Sequence, residues 1–269
     1  MKGTLFVCAT PIGNLSDATY RLIDTLKQVA LIASEDTRVI QKLLIRYEIP
    51  FPKLKSLHAG NEAGQIASII QCLNEGHQVA LVSDAGTPGI CDPGYRLVHV
   101  VREQGFSVVP IPGPSAVTTL LSVAGLPVDQ FYFGGFLPRK ESEIHTFLES
   151  LRILKVPIVV YEAPHRLIKT LHILANCPVD YLVVGKELSK KFEKVMVGSP
   201  DAIVQQMSEE VIKGEWVLVV TLLPTQATHE WHHWVEAMKQ AGISKKEIVA
   251  VAKMQKLSRN EVYAYLEGG

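Results

Sequence analysis

Three short clusters place ionisable side chains directly after apolar runs, where the strand ends of an α/β protein open onto a cleft. Glu35-Asp36-Thr37-Arg38 follows the run Leu31–Ser34, Asp84 follows Val79–Ser83, and Tyr161-Glu162-Ala163-Pro164-His165-Arg166 ends the run that begins at Pro157. A carboxylate at Asp84 could accept from ribose hydroxyls or an ammonium group. The competing reading is an Asx turn that holds its own loop, and both can hold together. Asp36 and Arg38 read either as a helix N-cap with a surface ion pair, or as a cleft-facing acid beside a phosphate-binding guanidinium. In the third cluster, charged groups so close to an apolar strand favour the cleft over open surface.

Three Gly/Pro-rich loops also break apolar runs, at Leu5–Leu15, Val79–Gly94 and Val108–Ala116. Glycine permits positive φ and proline fixes φ without a donor, so such loops bring bare backbone to a ligand. Three of them in one domain point to a single binding site built from several loops. Ser115 lacks the closing glycine of a nucleophile elbow, so its reading is a helix start whose first-turn N–H groups can meet a carboxylate or an adenine acceptor. Neither GxGxxG after the first strand nor GxxxxGK[ST] occurs. His229-Glu230-Trp231-His232-His233 matches HExxH. The stripe Trp231, Trp234, Val235 and Met238 leaves His229 and His233 on the flank, and we expect no metal there.

The elements that must carry these clusters alternate. Strand-like runs at Leu5–Ala9, Leu31–Ser34, Val79–Ser83 and Ser107–Ile111 interleave with helical patterns at 16–28, 37–47, 62–74, 94–104 and 115–124. Continuous apolar strands in βαβ order predict a mainly parallel, doubly covered sheet. A second α/β region follows Gly125-Leu126-Pro127, and its closely spaced last strands predict some antiparallel pairing. The fold class is therefore α/β, with domains at 1–124 and 125–224 and a helical tail at 225–269. In the tail, Ser244/Glu247 and Ser258/Glu261 are capping boxes for two helices joined at Leu257 in a helix-turn-helix-like arrangement. Lys245, Lys246, Lys253, Lys256 and Arg259 stand there against the single acid Glu247, which is either a solvated helix face or an RNA contact.

Composition narrows the classes further. The chain has 269 residues, 27 basic and 27 acidic, with 47% apolar content. With no net field to steer a polyanion, nucleic-acid binding has to come from a local basic face. Cys8, Cys72, Cys91 and Cys177 are scattered without a CxxC pair, and the first apolar stretch is cut at Pro11. A reduced, soluble, cytoplasmic protein without a signal peptide is expected. No apolar run approaches the roughly 20 residues of a membrane helix.

The ordered motifs ATPIGNL, AxEDTR, VALVSDAGTP, DPGYRLV, VVPIPGPSA, GFLPRK, YEAPHRL and GEWVLVV make the chain similar to the tetrapyrrole methylase superfamily, and within it to its rRNA-acting branch. The resemblance spans about residues 5–223, with the tail similar to that branch's helical extension. It implies two α/β domains with S-adenosylmethionine between them, a homodimer, and methylation of a cytidine ribose 2′-hydroxyl in the decoding region of 16S rRNA of the small ribosomal subunit. It places Pro11, Asp84, Gly86, Thr87, Ser115, Ala116, Tyr161, Val217 and Leu218 around the cofactor. Asp36, Glu162 and Lys186 are candidate bases because each would end a strand near the cleft. Arg38, His165 and Arg166, with Lys245, Lys246, Lys253 and Arg259 of the tail, are candidate RNA contacts. No metal is required. Two departures from the family pattern, Ala59-Gly60 and Gly134 where acids or a His are expected, would face the RNA. The alternatives are a sister methylase acting on a tetrapyrrole or other non-RNA acceptor, and a non-catalytic RNA-binding module. Deleting residues 225–269 is expected to weaken binding of small-subunit rRNA at least tenfold while leaving S-adenosylmethionine affinity unchanged, as measured by filter binding and calorimetry on the same preparation.

Overall fold

β1 (Thr4–Cys8) pairs in parallel with β4 (Val79–Val82) on one side and β5 (Ser107–Ile111) on the other. Beyond β4 lie β2 (Leu31–Ser34) and β3 (Lys53–Ser56), also parallel, giving the order β3-β2-β4-β1-β5. This is a computed structural model describing residues 2–58, 60–207, 212–224, 230–255 and 257–268. Parallel pairing forces a crossover between neighbours. The crossovers are α1 (Tyr20–Gln28), α2 (Thr37–Arg46), α3 (Glu62–Asn74) and α4 (Tyr95–Glu103). Their apolar stripes cover both faces of the sheet: Leu22, Leu26, Ile40 and Leu44 pack on one, and Ile69, Leu73, Leu97 and Val101 on the other. The strand β3 was not apparent in the apolar pattern. Its sequence KLKS carries lysines because it is an edge, half-exposed and flanked on one side only.

α5 (Ala116–Val123) leads to a second sheet of β6 (Tyr132–Phe136), β7 (Ile158–Glu162), β8 (Val179–Lys186), β9 (Lys194–Gly198) and β10 (Trp216–Leu222), in the order β6-β7-β10-β8-β9. Only β6 and β7 pair in parallel; β7-β10, β10-β8 and β8-β9 are antiparallel. Alternation along these strands separates two cores. Val159, Val183, Val217 and Val219 meet Leu120 and Leu121 of α5 together with Ile12 from the first lobe. Val160, Val184, Leu218 and Val220 meet α6 (Glu141–Arg152), α7 (Leu167–Ala175) and α8 (Pro200–Gln206). α5 and the loop after β1 thus tie the two sheets into one compact unit, Met1–Leu222.

Gly134 belongs to this second core. A Cβ there would come within 2.6 Å of the Phe147 ring and 3.3 Å of Val160, so a larger residue would point into packed side chains rather than toward an RNA. Ala59 lies outside the described residues.

Leu223–Gly269 is a separate unit of α9 (Glu230–Gln240), α10 (Lys245–Met254) and α11 (Arg259–Gly268). Trp231, Val235, Ile248, Ala252, Val262 and Leu266 form its core, with Trp231 edge-on to Tyr265 at 5.3 Å. The capping box of Ser244 and Glu247 is formed in both directions. His229, Lys256 and the side chains of Glu230, His233 and Glu261 lie outside the described residues. No helix among the described residues is long and apolar enough to cross a membrane.

Leu218 is completely buried in the second core, so Leu218→Ala is expected to cost about 2–5 kcal/mol of unfolding free energy, read as a lower urea midpoint.

Candidate active site

Because β1, β4 and β5 run the same way side by side, the loops that follow them emerge at one edge. Two of these loops lock together: the Thr10 N–H donates to the Gly86 carbonyl at 2.8 Å, the Gly86 N–H returns to Thr10 at 3.1 Å, and the Thr10 hydroxyl reaches the Ser83 carbonyl at 3.1 Å. Gly86 holds φ +77°, a conformation that a side chain would strain. The Ala9 N–H bonds the Ile111 carbonyl at 3.0 Å, adding the third loop. Opposite them stands the end of the second sheet, and the cavity between is about 480 Å³, within the range of sites for small organic ligands.

Ile12, Ile90, Leu188 and Val217 supply apolar wall, and Tyr161 packs against Phe133 and Phe136 with ring centroids 5.2 and 5.5 Å away. Ser115 is the N-cap of α5, but its hydroxyl accepts no capping hydrogen bond. Intrahelical pairing cannot satisfy the first-turn N–H groups of that helix, and its start, Ser115 and Ala116, lines the cavity. Glu35, Asp84 and Asp92 gather on the first lobe, while Glu162 and Glu215 border the cavity from the second. Asp84 accepts the Asp36 N–H at 2.9 Å. Burial, then the charges of Asp84 and Asp36, raise Glu35 despite His58. Burial, then Glu35 and Asp84, push Asp92 up to about 6, against a hydrogen bond from Ser83. Burial, followed by Cys91, Asp92 and Glu215, pushes the Tyr161 phenol up to about 12.

Of the residues expected around a cofactor, Asp84, Gly86, Thr87, Ser115, Ala116, Tyr161 and Val217 line this one cavity. Pro11 is buried beside it, and its neighbour Ile12 forms the wall instead. Leu218 turns the other way: one residue past Val217, its side chain sits on the opposite face of β10.

The same alternation removes two candidate bases. Glu162, Trp216 and Lys186 are cross-strand partners and share the face away from Val217. Glu162 borders the cavity but its side chain is wholly buried, accepting from the Ala163 N–H at 2.8 Å and the Thr170 hydroxyl at 2.6 Å, with Arg166 Nε at 3.4 Å. Lys186 is buried over the Trp216 ring at 5.5 Å. Asp36 caps α2 and grips Arg38 with both oxygens; the Arg38 hydrogen bonds hold its carboxyl at about 2, which makes a weak base. Arg166 spends its guanidinium on the Leu137 and Pro138 carbonyls, at 3.2 and 2.5 Å, and so fastens the loop before α6 rather than a phosphate. Arg38 and His165 are exposed, as are Lys245, Lys246, Lys253 and Arg259, the last with its guanidinium over Tyr263. Asp92 was missed as an individual residue, although it stands in the Asp-Pro-Gly stretch of the second loop.

Over residues 4–203 the chain matches the family described as Tetrapyrrole (Corrin/Porphyrin) Methylases. The chain belongs to the tetrapyrrole methylase family. Relatives named Ribosomal RNA small subunit methyltransferase I are 44% identical in Halalkalibacterium halodurans, over 81% of this chain and 76% of the relative, and 39% identical in Bacillus subtilis, over 97% and 93%. The protein of that name from Escherichia coli O157:H7 is 39% identical over 98% and 94%. Among tetrapyrrole methylase folds, uroporphyrin-III-C-methyltransferase from Thermus thermophilus superposes with a TM-score of 0.56 at 18% identity, covering 82% of this chain and 94% of that one. A diphthine synthase superposes at 0.65 with 14% identity, covering 81% and 89%. These two share the fold.

The donor set fits S-adenosylmethionine. Carboxylates on one wall complement its sulfonium and ammonium groups, unpaired helix N–H groups its carboxylate or adenine acceptors, and the aliphatic wall its apolar surface. Asp84→Ala is expected to weaken S-adenosylmethionine about 10- to 100-fold in calorimetry, the range for one charged hydrogen bond. Asp84→Asn keeps an acceptor for the Asp36 N–H and separates charge from loop support. An undiminished affinity in both would remove Asp84 from the cofactor site.

Proposed function

We propose that this chain transfers the methyl group of S-adenosylmethionine to the 2′-hydroxyl of a cytidine in the decoding region of 16S rRNA. The reading is carried by 39% identity to proteins named Ribosomal RNA small subunit methyltransferase I along 97–98% of the chain, helical tail included. The cofactor, when bound, supplies a methyl group already activated on sulfur. What the protein must add is orientation and dryness. Aligning the two reactants can lower a barrier by about 7–11 kcal/mol in ideal cases. Ile12, Leu188, Val217 and the Tyr161–Phe136 pair exclude water, while Asp84 and the start of α5 hold the two ends of the ligand. Arg38 and the tail residues Lys245, Lys246, Lys253 and Arg259 are exposed cations suited to phosphates, and His165 offers an exposed imidazole in the same role; such contacts position an RNA without reading its sequence. In this reading the protein works in the cytoplasm as a homodimer on the small ribosomal subunit; its four free cysteines are consistent with a reducing compartment.

Incubation of small subunits lacking the modification with labelled S-adenosylmethionine is expected to place one 2′-O-methyl group on a decoding-region cytidine, located by primer-extension mapping. Label transferred to a porphyrinoid instead, with none to RNA, would favour the sister-methylase reading.

A further inference from the structure

We propose that Asp92 is the general base that receives the proton of the acceptor hydroxyl. This deepens, and rests on, the ribose-methylation reading.

A ribose hydroxyl attacks poorly while protonated, so a carboxylate within hydrogen-bond reach of it is valuable. Four carboxylates border the cavity: Asp84, Asp92, Glu162 and Glu215. Each already has a partner, and only that of Asp92 is a lone hydroxyl, from Ser83. Asp84 takes the Asp36 N–H, Glu162 is fully buried and hydrogen-bonded, and Glu215 is exposed and paired with Lys190 at 3.4 Å. Asp92 is half-buried in the loop between β4 and α4, after Cys91 in a left-handed conformation of φ +64°, with the Ser83 hydroxyl beside it. The groups around it are Glu35 from the loop after β2, Asp84 and Cys91 of its own loop, and Tyr161 from β7. Among the described residues no cation belongs to that set, so no neighbouring charge of theirs neutralises the carboxylate before a cationic ligand enters.

The surroundings also tune it. Burial and the two neighbouring acids push Asp92 up to about 6, so it is ionised near neutral pH yet more basic than an ordinary carboxylate. Tyr161, pushed up to about 12, is protonated there and cannot compete as a base. In the step, the 2′-oxygen bonds to the methyl carbon as the carbon–sulfur bond breaks, the bonding pair leaves on sulfur as a neutral thioether, and the hydroxyl proton passes to an Asp92 carboxylate oxygen and then to water.

The test uses the full chain, unmodified small subunits and Asp92→Asn. The wild-type single-turnover rate is expected to rise about tenfold per pH unit and level off at or below about pH 6, because a bound cation lowers the titration of a neighbouring acid. At saturating S-adenosylmethionine, Asp92→Asn should be slower by about 10²- to 10⁴-fold, without that rising limb, and with a melting temperature no more than about 2 °C below wild type. Carboxyl NMR of the cofactor-free protein should show one aspartate titrating near 6 that disappears in Asp92→Asn. The assignment is overturned by a variant within about threefold of wild type, or by a rate loss that saturating S-adenosylmethionine restores, which would make Asp92 a charge complement to the cofactor. A carboxyl that titrates in the ordinary aspartate range also overturns it. If the wild type itself methylates no RNA, the function reading falls and this inference with it.

Discussion

The parallel pairing of β1 with β4 on one side and β5 on the other is the constraint on which the site depends. It delivers three Gly/Pro-rich loops to one edge, and the reciprocal Thr10–Gly86 hydrogen bonds fix two of them in register. Backbone-to-backbone bonding of this kind leaves the side chains of Ile12, Asp84 and Thr87 available to a ligand. The valine face of the second sheet then closes the space, packed against α5 and Ile12, so one apolar core both joins the lobes and shapes the cavity.

The electrostatics follow from the same placement. Successive strand ends bring Glu35, Asp84 and Asp92 together from two loops, and their mutual repulsion is balanced by hydrogen bonds only at Asp84 and Asp92. A cluster of this kind is unfavourable alone and becomes favourable when a cation enters, which suits a sulfonium donor and disfavours an anionic ligand. Arg38 stands at the same rim but is bound to Asp36, so the positive charge there is partly quenched.

Much of this was legible in the residues. Gly/Pro loops after apolar runs are local features, and the reading of Asp84, Ser115 and Tyr161 as cleft residues needed only strand order, whereas Thr87 was placed by the family resemblance. Side-chain direction was not legible to the same degree. Glu162 and Lys186 end their strands near the cleft, yet a one-residue difference from Tyr161 and Gly185 turns them to the other face, where Thr170 and Trp216 wait. Arg166 looked like a phosphate ligand because its partners, the carbonyls of Leu137 and Pro138, are nearly thirty residues away in sequence. Asp92 gains its character from burial first and then from Glu35 and Asp84, and neither its burial nor the approach of Glu35 from another loop has a signature in the residues beside it. β3 was invisible because an edge strand needs no apolar run.

A crystal structure of the chain with S-adenosylmethionine tests the central claim most directly. The account predicts the ligand in the cavity between the Ser115–Ala116 end of α5 and the Tyr161–Val217 edge, its sulfonium on the Asp84–Asp92 side. Electron density for the ligand anywhere else, or its carboxylate against those acids, would contradict it.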